Sequence, residues 1–216
     1  MEINLLDSLP QTKRDPKARA AAKTTEDRLI AKRFDFDFFD GDRRHGYGGY
    51  RYDGRWLPVA KRIIEHYQLP SNARILDVGA GKGFLMHDFL VHLPQASVRG
   101  IDVSEYAKEN AHENMGPLID LGSGESLPYP DKSFDLVISI NSIHNLPLER
   151  CKNALREMER VSRAHKFVTI DAWRNEEEHQ ALLDWILTAE TYMSVNDWIQ
   201  LFQNVGYAGD YWWFIP

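Results

Sequence analysis

The sequence predicts an α/β protein with a mainly parallel sheet of six to seven strands, flanked by helices and preceded by an N-terminal helical and loop segment. Two observations predict it. From Arg74 onward, short β-prone runs alternate with amphipathic helical patterns, the arrangement that feeds parallel strands through helical crossovers. In addition, the first core strand, Ile75-Leu76-Asp77-Val78, runs directly into Gly79-Ala80-Gly81-Lys82-Gly83 before a helical pattern opens. A glycine turn there lets a ligand approach the backbone at a helix N-terminus.

Residues 1–30 are polar, with Lys13, Arg14, Lys17 and Arg19 among acids and alanines, and are expected to be helical in part or mobile. Phe34 to Asp40 then alternates rings and acids. Gly41 to Trp56 is dense in glycine, tyrosine and arginine, so it reads as neither regular helix nor strand. Val59, Ile63, Ile64 and Tyr67 recur at helical spacing between Pro58 and Pro70. Beyond the glycine turn, Phe84, Leu85, Phe89 and Leu90 mark a helix, Val98–Val103 a strand and Glu105–Asn114 a helix. Asp135–Ile140 is a β-prone buried strand, Leu148–Arg163 a helix and Phe167–Asp171 a strand. A helix over Glu176–Leu187 follows. Another opens at a Ser194 N-cap, buries Trp198, Leu201, Phe202 and Val205, and stops at Gly206. Tyr211–Ile215 closes the chain as a strand.

At 216 residues, with 43% apolar and 27% charged residues, the chain fits one domain and a short extension. Its net charge of -6 disfavours a large nucleic-acid partner, which calls for a basic field. Cys151 is the single cysteine, so no intramolecular disulfide is possible and a reducing, cytoplasmic home is expected. The polar start lacks the apolar run of a secretory signal. No stretch of 18 apolar residues predicts a membrane span.

The chemistry centres on Asp77 and Asp102. The turn spacing is G-x-G-x-G, whereas a dinucleotide fingerprint would place its third glycine at Phe84. Asp77 stands two residues before Gly79, where a carboxylate repels pyrophosphate and suits a ligand bearing an ammonium. Asp102 ends the next strand, 21 residues after Gly81, where a carboxylate can accept both hydroxyls of a ribose. The plainer alternative is a helix N-terminal acid before Glu105.

On these residues the chain resembles the class I, Rossmann-like S-adenosylmethionine-dependent methyltransferases, in their small-molecule branch. The resemblance covers about residues 73–170. It rests on Ile75–Gly83, on Gly100-Ile101-Asp102-Val103-Ser104 and on the run from Gly122-Ser123-Gly124-Glu125-Ser126-Leu127-Pro128 to Val137. It implies S-adenosyl-L-methionine as cofactor, lying across the strand ends above Gly79, Ala80 and Gly81. Asp102 would meet the ribose, Ser123, Gly124 and Glu125 would flank the adenine, and Val103 is a further cofactor contact. It also implies residues 57–216 as the cofactor domain and residues 1–56 as an extension that lids the substrate. Three departures from the family stand out. Ser123 replaces a common aspartate. Arg163-Ala164-His165-Lys166 replaces a Pro-Gly-Gly turn and is expected to be a changed surface turn. One strand follows Gly206 where the family usually has two, so either the sheet is one strand short or the N-terminal segment covers its edge.

In the family the segment after the fourth strand faces the transferable methyl; here it is Asn141-Ser142-Ile143-His144-Asn145. Asn141 is a candidate cofactor contact, with a strand-end cap as the alternative. His144 is a candidate general base, with a histidine packed under the next helix as the alternative. His45 is a second candidate base. In the lid, Tyr47, Tyr50, Arg51, Tyr52 and Arg55 offer hydroxyls and guanidiniums suited to an anionic acceptor; the alternative is that both arginines pair with Asp40, Asp42 or Asp53. The Asp35/Asp37/Asp40/Asp42 series and Glu176–His179 read as amphipathic and solvated faces, so no metal is expected, and the tryptophans read as core or interface. The expected reaction is in-line attack by a small polar, anionic acceptor on the sulfonium methyl, O-methylation being favoured. The rivals are a non-catalytic cofactor-binding scaffold, an aminopropyltransferase and an RNA-modifying enzyme. A monomer or homodimer is expected.

Overall fold

The computed structural model describes residues 1–10, 15–21 and 23–216; Lys13 and Arg14 lie outside them. The chain order is α1 (Pro16–Ala21), α2 (Thr25–Ala31), α3 (Phe36–Phe39), α4 (Leu57–Tyr67), β1 (Arg74–Val78), α5 (Phe84–His92), β2 (Ser97–Asp102), α6 (Glu105–Glu109), β3 (Ile119–Leu121), β4 (Phe134–Ile140), α7 (Leu148–Val161), β5 (Ser162–Trp173), α8 (Glu176–Trp185), β6 (Met193–Ser194), α9 (Val195–Val205) and β7 (Asp210–Phe214).

The sheet has seven strands in the order β3-β2-β1-β4-β5-β6, with β7 also paired to β5. All the pairings within it are parallel. β1 and β4 are buried on both faces, which is why they read as continuous apolar runs rather than as alternations. Helix α7 buries Cys151, Ala154, Leu155, Met158 and Val161 at helical spacing, and α9 adds Trp198, Leu201 and Phe202 to the same side of the sheet. Helices α4 and α5 cover the other side through Val59, Ile63, Met86 and Phe89. The Ser194 cap is present, with Asp197 N–H donating to its Oγ at 3.1 Å, and Gly206 ends α9 at φ +76°. After β3 the chain returns to the opposite side of β1, so β1 and β4 flank the switch point where open α/β sheets hold ligands.

Several boundaries differ from the sequence reading. Two short strands, β3 and β6, carry too few residues to show a period. Helix α6 stops at Glu109. The segment 163–166 is no turn: β5 begins at Ser162 and carries a bulge, pairing Phe134 with Ser162 and Leu136 with His165. Arg163 anchors it, its Nε donating to Asp135 at 2.6 Å. At the far edge, β7 lies against β5, and the N-terminal segment bridges to it in turn: Ile3 N–H donates to Tyr211 O and Tyr211 N–H to Met1 O, each at 3.0 Å. The edge is therefore covered by the N-terminal segment. No helix among the described residues is long and apolar enough to cross a membrane.

Residues 34–56 lie over the carboxyl ends of the strands, and the residues just before them dock on α8. A capping box of Thr24 and Asp27 starts α2. Basic side chains then dock this segment on the end of α8. Lys23 Nζ donates to the carbonyls of Asp184, Trp185 and Ile186 at 2.8–3.0 Å. Arg19 donates to Trp185 O and Arg28 to Ile186 O. These are carbonyls that a helix leaves unpaired at its negative pole, where cations are favoured. Burial, and then the charges of Arg19 and Arg28, pull the Lys23 pKa down to about 7.

Candidate active site

A cavity of about 190 Å³ opens between the glycine turn and the N-terminal segment. Its floor is built by β1 and its turn. Gly79 lies at φ +86°, and a Cβ there would sit 1.9 Å from Ser142 Oγ, so no other residue fits under the loop after β4. The turn's amides are already engaged. Gly79 and Ala80 N–H donate to Ile101 O at 2.8 and 3.2 Å, and Gly81 N–H donates to Asp102 Oδ2 at 2.7 Å. The N–H groups of Gly79, Ala80 and Gly81 are thus not free for a pyrophosphate.

Two carboxylates face this cavity. Asp77 is 5% exposed; burial, and then the charge of Asp102, push its pKa up to about 7. The cation of the turn does not serve it, because Lys82 Nζ turns away to Asp40 Oδ2 at 2.5 Å and to Tyr50 O at 3.2 Å. Burial also raises Asp102, against the opposing pull of N–H donors that include Ser104 and Gly81. Each Asp102 oxygen accepts one backbone bond, leaving a lone pair on each for a diol. A buried carboxylate without a cation is costly, and the chemistry that relieves it is a ligand bearing positive charge.

Ser123, Gly124 and Val103 line the neighbouring wall. Asn141 lies at the end of β4 at φ +51°. Its N–H donates to Thr169 Oγ1 at 3.0 Å, and Thr169 Oγ1 donates back to its Oδ1 at 2.9 Å. The roof is aromatic. Tyr47 and Tyr50 reach the cavity, with ring centroids 4.2 Å apart. Tyr47 is half exposed, whereas Tyr50 lies deeper: burial raises its phenol and the charges of Tyr47, Asp77 and Asp102 raise it further, so its hydroxyl stays protonated.

The structure thus brings together Asp77, Gly79, Ala80, Gly81, Asp102 and Val103 with Ser123, Gly124, Asn141, Tyr47 and Tyr50. Six other expected residues lie outside the lining. His144 is 4% exposed; its Nδ1 accepts from Asp171 N–H at 3.3 Å, and its Nε2 faces Asp171 Oδ1 at 3.6 Å. His45 is held by Asp27 at 3.0 Å, inside the N-terminal segment. Glu125 pairs with Arg150 at the surface. Tyr52 donates to Asp88 on α5 at 2.6 Å. Arg51 is exposed, and Arg55 forms a two-pronged pair with Asp53, the alternative partner weighed for it.

The structure also adds residues that sequence reasoning did not single out. Phe34, Phe38, Phe39 and Trp56 line the roof. The alternating Phe-Asp run looked like an amphipathic edge. Instead Asp35 caps the single turn of α3, its Oδ1 accepting from Asp37 N–H at 3.1 Å, and this turn carries the rings inward. Gly46 allows the fold-back, since a Cβ there would lie 2.0 Å from Phe38 O.

Comparison with known proteins agrees with this architecture. Residues 75–165 match a family described as a methyltransferase domain. With the fold, this bears out the resemblance of that stretch to the class I, Rossmann-like S-adenosylmethionine-dependent methyltransferases. Among its relatives, a tRNA (carboxymethyluridine(34)-5-O)-methyltransferase of Arabidopsis thaliana is 31% identical over 67% of this chain and 34% of its own length. A malonyl-[acyl-carrier protein] O-methyltransferase of Geobacter sulfurreducens is 32% identical over 44% of this chain and 39% of its own. The chain therefore spans little more than a third of the length of these relatives. Among solved structures, a putative methyltransferase of Haloferax volcanii, in complex with the activator Trm112, aligns over 91% of this chain and 77% of its own. That alignment has a TM-score of 0.57 at 18% identity and speaks to the fold alone.

Proposed function

We propose that the chain binds S-adenosyl-L-methionine in this cavity and transfers its methyl group to an oxygen of a small polar acceptor. The observation that carries the reading is the pairing of Asp77, a buried carboxylate without a cation, with Asp102, whose oxygens each keep a lone pair, beside a turn whose Gly79, Ala80 and Gly81 N–H groups are already engaged. Asp77 would hold the α-ammonium, Asp102 the ribose hydroxyls, and Val103, Ser123 and Gly124 the base. Bound there, the cofactor supplies a sulfonium methyl already activated for displacement. The chain's own task is to align the acceptor and exclude water. The aromatic roof of Phe38, Phe39, Tyr47 and Tyr50 does both. Methylation on oxygen draws support from the two named relatives, whose printed activities both place the methyl on oxygen. Residues 1–56 act as the lid in this reading.

The lining holds no arginine or lysine side chain, so the earlier expectation of a guanidinium clamp gains nothing from the geometry. A carboxylate acceptor would meet its counter-charge in the sulfonium itself. A second reading, methylation of a nucleotide within RNA, rests on the name of the Arabidopsis relative and is opposed by the net charge of -6.

Calorimetry with S-adenosylmethionine and S-adenosylhomocysteine tests the proposal. Both should bind, NAD should not, and Asp102→Ala should weaken binding by about 1–3 kcal/mol, the scale of a charged hydrogen bond lost. Binding of NAD in preference to either ligand would overturn it. Methyl incorporation into tRNA, but not into carboxylic or hydroxylic metabolites, would favour the second reading.

A further inference from the structure

We propose that a divalent ion of the zinc type binds between His87, His112 and Glu113 and ties the loop after α6 to the helix that follows the glycine turn. The inference is independent of the methyl-transfer reading. His87 lies on α5, and His112 and Glu113 lie in the loop after α6. Their ligand atoms all fall within 4.8 Å of one another, the one such group of three among the described residues. Nε2 of His87 is 3.5 Å from one Glu113 oxygen, and Nε2 of His112 is 3.7 Å from the other. A tetrahedral ion with bonds of ~2.0–2.1 Å holds its ligand atoms ~3.4 Å apart, so closure needs only small side-chain adjustments.

The surroundings are those of a prepared ligand set. His87 Nδ1 lies 3.0 Å from Asp88 Oδ1. With the proton on Nδ1, the Nε2 lone pair is turned toward Glu113, the carboxylate–histidine arrangement that orients a metal ligand. Asp88 is fully buried, takes a second bond from Tyr52 Oη at 2.6 Å, and has one oxygen without a partner. A carboxylate so placed calls for positive charge nearby, and an ion on the far side of the His87 ring supplies it. His112 Nε2 is likewise buried without a partner. Its ring stacks on Tyr52 at 4.1 Å, and its backbone N–H donates to Lys82 O at 2.9 Å. Two imidazoles and a carboxylate are a zinc-compatible donor set that leaves a fourth position for water. The exposed Glu113 gives the ion its way in. The ion joins α5 to the loop after α6, and Tyr52, stacked on His112 and bonded to Asp88, sets the N-terminal segment against that joint.

The test uses the untagged full chain stripped with a chelator. Zn²⁺ is titrated in competition with a chromogenic chelator, and Co²⁺ is followed by its visible d–d absorption. One equivalent of either ion should bind, cobalt with the strong absorption of a four-coordinate site, and Zn²⁺ should raise Tm. Glu113→Gln, at an exposed position that folding tolerates, should weaken binding at least tenfold. His112→Ala should abolish it. Asp88→Asn should weaken it about 10–100-fold, as loss of an orienting carboxylate does. If His112→Ala does not fold, His112→Gln and Glu113→Gln decide the matter. Absence of stoichiometric binding in the wild type would overturn the proposal. So would binding that survives in Glu113→Gln and the His112 variant together, or a Tm that does not respond to Zn²⁺.

Discussion

Lys82, in the glycine turn, donates a 2.5 Å hydrogen bond to Asp40, in the N-terminal segment. That bond is one of several that join the two halves of the candidate site, and it keeps the lysine's charge from Asp77. Asp40 also accepts from Tyr106 Oη at 2.7 Å and from Tyr50 N–H at 3.0 Å. Burial works to raise its pKa, but the bonds from Lys82, Tyr106 and Tyr50 prevail and hold it below the usual carboxylate value. Asp40→Ala would leave the Lys82 ammonium buried without its partner. A loss of about 3–5 kcal/mol, the cost of breaking a buried pair from one side, is expected in urea unfolding. Faster tryptic cleavage at Arg43, Arg44 and Arg51 should accompany it. A loss below about 1 kcal/mol, the scale of an exposed pair, would show that the bond does not hold the segment down.

The pH dependence of Asp77 gives a second prediction, with its sign fixed by the direction of the shift. Its folded pKa, about 7, lies above its ordinary value of 3.8. Between these values the folded state binds more protons than the unfolded one. Its contribution to stability is therefore full at low pH and is lost progressively as pH rises from about 4 to about 7. Asp77→Asn removes that penalty, so the unliganded variant should show a higher Tm than wild type at pH 8, with the gap closing toward pH 4. The same variant should fail to bind S-adenosylmethionine, because an amide cannot pair with the ammonium. Wild-type affinity should tighten as pH rises through 7. A Tm difference that does not change with pH would refute the assignment.

Arg51 and Arg55 offer a sharp negative prediction. Arg55 has both prongs on Asp53, with roughly half of each side chain exposed, and such surface pairs contribute at most ~1 kcal/mol. Arg51→Lys and Arg55→Lys should leave cofactor affinity, acceptor KM and Tm close to wild type. A rise in acceptor KM in either variant, with cofactor binding unchanged, would reinstate a guanidinium contact to substrate.

These outcomes show where sequence reasoning reaches and where it stops. Asp77, the glycines and Asp102 were legible because their roles depend on spacing along one strand–turn–helix unit and its neighbour, which the chain states locally. The alternating sheet was legible for the same reason: β1 and β4 are apolar throughout, as strands buried on both faces must be. The aromatic roof was not. Phe34, Phe38 and Phe39 reach the cavity only because Gly46 lets the chain fold back on Phe38 and because Asp40 is fastened to Lys82, both long-range facts. The arginines failed for the opposite reason. A guanidinium in a flexible-looking loop suggests a ligand, but a carboxylate two residues away satisfied Arg55 first. His87 and the pair His112-Glu113 carry no spacing motif, because they come from α5 and from the loop after α6, which only the fold brings together.

His144 provides the last and most discriminating prediction. It follows the fourth strand, where a base would be sought, and its ordinary pKa suits the task. Its surroundings argue otherwise. The ring is 4% exposed, and burial lowers its pKa despite the opposing charge of Asp171. With Asp171 N–H donating to Nδ1, the ring proton sits on Nε2, facing the Asp171 carboxylate, and no lone pair is left to take a proton from a substrate. Its carbonyl meanwhile accepts from Glu190 and Thr191 N–H at 3.0 and 2.9 Å, fastening the loop before β6. The histidine thus reads as a buried joint between the end of β5 and that loop. His144→Gln should lower stability by about 1–3 kcal/mol, the cost of buried polar groups left unpaired. Once the assay temperature is set well below Tm, kcat on the true acceptor should stay within a few-fold of wild type. A general base would behave differently, because its removal costs about 10²–10⁴ in rate. A collapse of that size in kcat, with Tm and S-adenosylhomocysteine affinity unchanged, would show that His144 reaches the acceptor after all.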